Sequence, residues 1–329
     1  MESVEIPVAD GSLHALRFGH GPRTILAAHG ITASAMSFRS VARHLTPDWS
    51  LVALDLRGRG GSAAAPGPYG MTAHAADLAA AAEYLGAPVV LTGQSMGAYA
   101  ALRAAALRPE LFSRVVLVDG GLPLPVPAGA DPDEVLRLTV GPAIARLTET
   151  YRDVDAYLDF FRAHPALGGS WNEDMDAYVR YDAVEVAGGS AGVHGAHAVG
   201  VEAARHRDAD EPPRPGTEAG ADAGSGAAPG AVRSRTSADA VRADGRDLIV
   251  GGDAFGADLA GLSVPAVLLH APRGMFGQEP GLLPQAVVDH WVARSPALSA
   301  ELVADTNHYT ILMTDRPAAL IAERLTTDN

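Results

Sequence analysis

Six compact apolar runs, four close together and two far downstream, constrain this chain more than any other feature. Thr24 to Ala28, Leu51 to Leu54, Pro88 to Thr92 and Arg114 to Val118 each run into a Gly or Asp within two residues and are separated by helix-length segments. Runs that are apolar throughout, rather than alternating, are strands buried on both faces, and parallel strands need crossovers that lay helices over the sheet. The rhythm predicts an α/β protein with a mostly parallel sheet and helices on both faces. Ala266 to His270 and Ser299 to Ala304 resume it late in the chain. Between them Pro284 suits the first position of a helix carrying Val287, Val288, Trp291 and Val292, and Pro317 opens a last helix with Leu320, Ile321 and Leu325. Upstream, Val4 to Val8 and Leu13 to Phe18 flank Asp10-Gly11, a strong hairpin signal.

The long interruption follows a different pattern. Asp131-Pro132-Asp133-Glu134 reads as a capped helix start, after which Leu136, Val140, Ile144, Leu147 and Tyr151 recur at helical spacing. Val154, Tyr157, Leu158 and Phe161 repeat the pattern up to His164-Pro165, and a third helix begins near Asn172 with Met175, Tyr178 and Val179 on one side. These features predict a core of residues 1–120 and 262–329 interrupted by a helical cap over residues 121–261. Tyr151, Tyr157, Phe160, Phe161, Trp171, Tyr178 and Tyr181 crowd into the cap, where they are expected to pack its own small core, one or two of them lining a substrate pocket. Residues 187–231 are rich in Gly, Ala, Pro, Asp and Glu, with few large apolar side chains, and are expected to have no fixed structure. His194, His197 and His206 in that stretch lack regular ligand spacing, and no metal is expected there. Helical signals return from Ser237 to Ile249.

Composition narrows the function. The formal charge of −14 argues against a polyanionic partner, because nucleic acid is held by clustered cations. Every cation is Arg and the chain has neither Lys nor Cys, which excludes Schiff-base lysines, thiol nucleophiles, disulfides and cysteine metal sites. No run reaches the roughly 20 apolar residues of a membrane span. Met1 to Asp10 carries Glu2 and Glu5 without a basic-then-apolar leader, so the expectation is a cytoplasmic protein.

Gly93-Gln94-Ser95-Met96-Gly97 matches G-x-S-x-G directly between the strand ending near Thr92 and an Ala-rich helix from Ala98 to Leu107. The glycines suit a turn so sharp that side chains at 93 and 97 would meet neighbouring backbone, and the apex serine is the expected nucleophile. A serine hydroxyl needs a base. Of twelve histidines, His308 combines a strand-end position, after the run to Ala304, with the chain order Ser then His. His29-Gly30-Ile31-Thr32, also at a strand end, can supply the Ile31 N–H to an oxyanion hole completed by the Met96 N–H, with His29 itself structural.

His29-Gly30, Asp55 to Gly60, Gly93 to Gly97 and Asn307-His308-Tyr309 together resemble the α/β-hydrolase superfamily over residues 1–120 and 262–329. The resemblance implies an eight-stranded, mostly parallel sheet and a Ser-Asp-His triad, with the Asp55 loop structural. It also locates a departure. Most members carry the acid after the penultimate strand, yet Ala271 to Glu279 contains no Asp. Branches such as polyketide thioesterases and haloalkane dehalogenases carry it after the strand that follows the nucleophile helix, where this chain has Asp119. Asp119 is the expected acid, with Glu279 the alternative. The implied activity is hydrolysis of a small ester or thioester with an apolar group, through an acyl-enzyme and with no metal or organic cofactor. Acyl transfer or cyclisation, perhydrolysis, and a ligand-binding protein that keeps the fold without turnover are the competing readings.

Overall fold

The computed structural model describes residues 1–127, 129–186 and 230–327. The chain opens with the hairpin β1 (Glu2–Val8) and β2 (Gly11–Phe18), followed by β3 (Arg23–Ala28), the short α1 (Arg39–Ala42), β4 (Trp49–Leu54), α2 (Met71–Tyr84), β5 (Val89–Gln94), α3 (Met96–Leu107) and β6 (Phe112–Val118). After the interruption come β9 (Ala266–His270), α10 (Gln285–Val292), β10 (Leu298–Leu302), α11 (Thr310–Met313) and α12 (Asp315–Thr326). The eight core strands form one sheet in the order β1-β2-β4-β3-β5-β6-β9-β10. β1 pairs antiparallel with β2 and β2 with β4; every later pairing is parallel.

Strand side chains alternate between the two faces, and in β3, β4, β5, β6 and β9 both faces are largely buried, whereas the edge strand β10 is mostly exposed. Leu26, Val52, Leu91, Val115 and Leu117 join one apolar core with residues of α2, α3 and α10. Ile25, Ala27, Leu51, Val90, Val116 and Val118 join another with residues of α1, α11 and α12. This two-sided burial is why the strands read as unbroken apolar runs rather than as alternating ones. The edge hairpin β1–β2 alternates instead, with only Ile6 of β1 fully buried.

Between β6 and β9 lie α4 (Pro132–Thr139), α5 (Gly141–Thr148), α6 (Val154–Arg162), α7 (Glu173–Asp182), the two-stranded ribbon β7 (Ala183–Glu185) and β8 (Val232–Ser234), α8 (Ala238–Val250) and α9 (Gly252–Gly261). The caps at Asp131, Asp153, Asn172 and Ser237 each accept a backbone N–H of the first turn. Two expectations need correction here. The apolar run from Leu136 to Tyr151 is not one helix: it breaks at Val140 because Pro142, in the first turn of α5, has no N–H to continue the ladder of α4. The irregular stretch also ends earlier than residue 231. Ala231 is buried, and its carbonyl accepts the Val186 N–H, which closes the ribbon that apolar periodicity had not signalled. Residues 187–229, with His194, His197 and His206, lie outside the described residues. Of the aromatic crowd, Tyr151, Tyr157, Phe160 and Phe161 meet in tilted and edge-on contacts at ring separations of 4.7 to 5.6 Å, while Phe161, Trp171, Tyr178 and Tyr181 also pack against the apolar core under α1, α11 and α12, so that group is shared between cap and core.

Candidate active site

β5, β6 and the segment after β10 deliver three side chains to one end of the sheet. Ser95 follows β5 immediately and N-caps α3 with φ 54° and ψ −122°, a conformation rare for a residue with a side chain. Only glycine fits the flanks of this turn. A Cβ at Gly93 would lie 2.1 Å from the Gly97 carbonyl oxygen, and one at Gly97 would lie 2.1 Å from that of Ala28. The Ser95 N–H donates to the carbonyl of Val118, the last residue of β6, at 2.9 Å, tying the apex to the strand that ends in Asp119.

Asp119 has no exposed surface and also sits at positive φ, 46°, its N–H held by the Leu269 carbonyl of β9. One carboxylate oxygen accepts the Ala271 N–H at 3.0 Å, and the other accepts from His308 Nδ1 at 2.6 Å. With Nδ1 donating to a carboxylate, the neutral imidazole presents Nε2 as an acceptor, and Nε2 lies 3.0 Å from Ser95 Oγ. The loop that carries His308 is pinned on both sides. Asn307 Oδ1 accepts the N–H groups of Tyr309 and Thr310, and Arg273 donates to the carbonyls of Asp305 and Thr306. Ser95, His308 and Asp119, separated by up to 213 positions in sequence, thus form one hydrogen-bonded line. Glu279 does not join it. It is exposed, lines an open cleft with His270 and Leu283, and has no hydrogen bond to His308.

The two expected oxyanion donors also sit at this end. The Met96 N–H opens α3, where helix geometry leaves it without an intrahelical acceptor, and neither it nor the Ile31 N–H meets an acceptor among the described residues. The Gly30–Ile31 peptide is fixed from its carbonyl side: Gly30 O accepts from His29 Nδ1 at 2.8 Å and from the Ala33 N–H at 3.0 Å. His29 Nε2 in turn accepts the Leu56 N–H at 3.0 Å, so His29 is neutral with its proton on Nδ1. Burial pushes its pKa down to about 4, consistent with a structural imidazole. Asp55 is likewise structural. It receives Ala35 N–H, Gly61 N–H, His14 Nδ1 and the Tyr181 hydroxyl; burial works against its ionisation, but these donors outweigh it and hold its pKa below the ordinary value.

Sequence reasoning overlooked two neighbours. Gln94, the first variable position of G-x-S-x-G, donates Nε2 to the His308 carbonyl at 3.1 Å. Arg59, fully buried, donates to the Ile31 carbonyl at 3.0 Å and is paired with Asp244 of α8. A buried polar residue inside the serine turn was readable as a signal for the first; no local signal joins two residues 185 positions apart. Among the described residues no group of three or more His, Asp or Glu side chains is placed to hold a metal ion, and no helix is long and apolar enough to cross a membrane.

The sequence profile described as the alpha/beta hydrolase fold matches residues 23–196, more than half of the chain. The chain is 42% identical over 108 residues to N-formylmaleamate deformylase of Pseudomonas putida, a stretch covering 32% of this chain and 40% of that protein. Over 114 residues it is 37% identical to lipase LipV of Mycobacterium tuberculosis, covering 34% of this chain and 43% of the lipase. The matched stretch thus spans less than half of either curated relative. Among solved structures, E-2-(acetamidomethylene)succinate hydrolase superposes with a TM-score of 0.72 at 17% identity, with 98% of each chain covered, a likeness of fold.

Proposed function

Because the chain belongs to the α/β-hydrolase fold family, we propose that it is a serine hydrolase that cleaves a small carboxylic ester or thioester through an acyl-enzyme. The observation that carries this reading is the line from Ser95 Oγ through His308 to Asp119, with contacts of 3.0 and 2.6 Å. Ser95 Oγ attacks the carbonyl carbon while His308 Nε2 accepts the hydroxyl proton, and Asp119 stabilises the imidazolium and holds its orientation. The carbonyl π electrons move to oxygen, and the Ile31 and Met96 N–H groups stabilise that charge. As the tetrahedral intermediate collapses, the bond to the leaving alcohol or thiol breaks and His308 returns the proton to it. Water, deprotonated by His308, then attacks the acyl-enzyme and releases the acid and free Ser95.

Asp119 rather than Glu279 is the acid in this reading, since Asp119 occupies Nδ1 of the imidazole and Glu279 is exposed away from it. Residues 121–261 act as the cap. Support comes from Gly245 of α8, where a Cβ would meet the side chains of Leu136, Ile31 and Val140, so α4 and α8 converge on the oxyanion loop with apolar atoms. Apolar side chains packed beside Ile31 favour an apolar group on the substrate. A second reading is C–N bond cleavage on the same groups, favoured by the 42% identity to a protein named as a deformylase.

The test is a panel of p-nitrophenyl esters of increasing acyl length, matched thioesters and N-acyl amides, measured with wild type and Ser95→Ala. Turnover of esters or thioesters that falls by about 10⁶-fold in the variant is the expected result. Unchanged turnover in Ser95→Ala would refute it, and turnover of amides alone would move the assignment to the second reading.

A further inference from the structure

Arg59 has no exposed surface, and its donors go to four different places. Nε donates to the Ile31 carbonyl at 3.0 Å, Nη1 to the Arg57 carbonyl at 2.8 Å and to Asp244 Oδ2, and Nη2 points at Met96 Sδ at 3.9 Å. One guanidinium therefore touches both residues whose N–H groups form the proposed oxyanion hole. Its counter-ion comes from outside the core. Asp244 lies on α8, is itself fully buried, and accepts from the Gly70 N–H at 2.6 Å and from His74 Nε2 at 3.0 Å.

We propose that Arg59, held by Asp244 of α8, is a positioning residue for the oxyanion hole, so that docking of α8 onto the core completes the catalytic apparatus. The inference rests on the serine-hydrolase reading above. His29 fixes the carbonyl before Ile31 and Arg59 fixes the carbonyl of Ile31 itself. Both peptides around the Ile31 Cα are thereby tied, and its N–H keeps one direction. Hydrogen-bond donors that need no reorganisation as charge develops favour the transition state over the ground state. The ion pair is also an oriented dipole: its cationic end contacts Ile31 and Met96, and its anionic end lies on the α2 and α8 side. A residue whose only task were to fill the core would not require a charge there, since buried ion pairs are costly and apolar side chains of similar volume replace them with little loss.

The experiment compares Arg59→Lys, Arg59→Met and the double variant Arg59→Met/Asp244→Asn, reading kcat and KM separately, the affinity for a trifluoromethyl ketone and thermal stability. The ketone adds Ser95 Oγ to its carbonyl and places a tetrahedral oxyanion in the hole, whereas KM, measured on a substrate whose acylation limits turnover, reports the ground state. Arg59→Met leaves Asp244 buried with only the Gly70 N–H and His74 as partners and without its guanidinium counter-ion, and is expected to lower stability; the double variant removes both charges and is expected to recover it. If Arg59 positions the hole, the double variant keeps KM but loses about 10- to 100-fold in both kcat and ketone affinity. Should the double variant recover kcat along with stability, Arg59 is only a core residue and the proposal is wrong. If neither Met variant folds, Arg59→Lys decides: it keeps the charge but lacks the fork that spans Ile31 and Asp244. A folded Arg59→Lys with wild-type kcat overturns the proposal, and a lowered kcat at constant KM supports it. Failure of the hydrolase reading looks different, because wild type itself would then neither turn over esters nor bind the ketone.

Discussion

Replacing Asp119 by Asn changes few atoms and has a calculable consequence. Asp119 Oδ1 accepts the Ala271 N–H and Oδ2 accepts from His308 Nδ1, at 3.0 and 2.6 Å. An asparagine keeps the first bond only by turning its carbonyl to Ala271, which aims its NH₂ group at Nδ1. Two donors then face one another, so His308 gives up the Nδ1 proton and carries it on Nε2, 3.0 Å from Ser95 Oγ. In that tautomer the imidazole cannot accept the serine proton. The same substitution in the triad of a serine protease lowers kcat by about 10⁴-fold, about 5.5 kcal/mol in the barrier at 1.36 kcal/mol per decade. Asp119→Asn is therefore expected to fall about 10⁴-fold in kcat on a p-nitrophenyl ester. Its melting temperature should stay near wild type, because the amide remains bonded on both sides. Glu279→Gln, exposed and without a bond to His308, should fall by less than about 2-fold. An Asp119→Asn enzyme within about 10-fold of wild type, or a Glu279→Gln enzyme just as impaired, would refute this assignment of the acid.

His29 is expected to make stability depend on pH. Its folded pKa is lowered to about 4 from 6.5, so in that window the unfolded chain binds a proton that the folded one does not, and stability falls as pH falls. Between about pH 7 and about pH 5 the loss is about 2 kcal/mol, and His29→Asn should flatten the pH dependence of the unfolding free energy from urea denaturation by that amount; an unchanged slope would show that His29 does not titrate this way. Gly97→Ala would place a methyl 2.1 Å from the Ala28 carbonyl oxygen and 2.7 Å from that of His29, neither of which can move without displacing β3. A loss of about 3 kcal/mol or more in chemical denaturation is expected, and wild-type stability in the alanine variant would contradict the turn geometry.

Strand ends were legible because a doubly covered parallel sheet writes its strands as solid apolar runs and ends them in residues that face the site. Ser95 and Asp119 each stand just beyond such a run, His308 follows the edge strand β10, whose run is broken by Ser299 and Glu301, and a Cβ at Gly93 or Gly97 would collide with backbone in the serine turn. The choice between Asp119 and Glu279 was open, since each follows a strand and only the path of the backbone decides which carboxylate reaches Nδ1. The break between α4 and α5 was signalled by Pro142 but masked by apolar spacing that continues through it. β7 and β8 are three residues each, too short for a period, and pair across residues 186–231. The Arg59–Asp244 pair illustrates the general limit: each partner alone looks like an ordinary surface charge, and only the fold of α8 onto the core removes both from water.

Reaction with a fluorophosphonate tests the central claim most directly, because it requires an activated serine and an oxyanion-stabilising site but no knowledge of the substrate. Cleavage after arginine releases residues 60–103 as one fragment, in which Ser62 and Ser95 are the serines. Rapid, stoichiometric modification of the folded protein, located on Ser95 by fragmentation and abolished in His308→Ala, is the expected result. A folded protein left unmodified, or one modified at a different serine with Ser95 untouched, would contradict it.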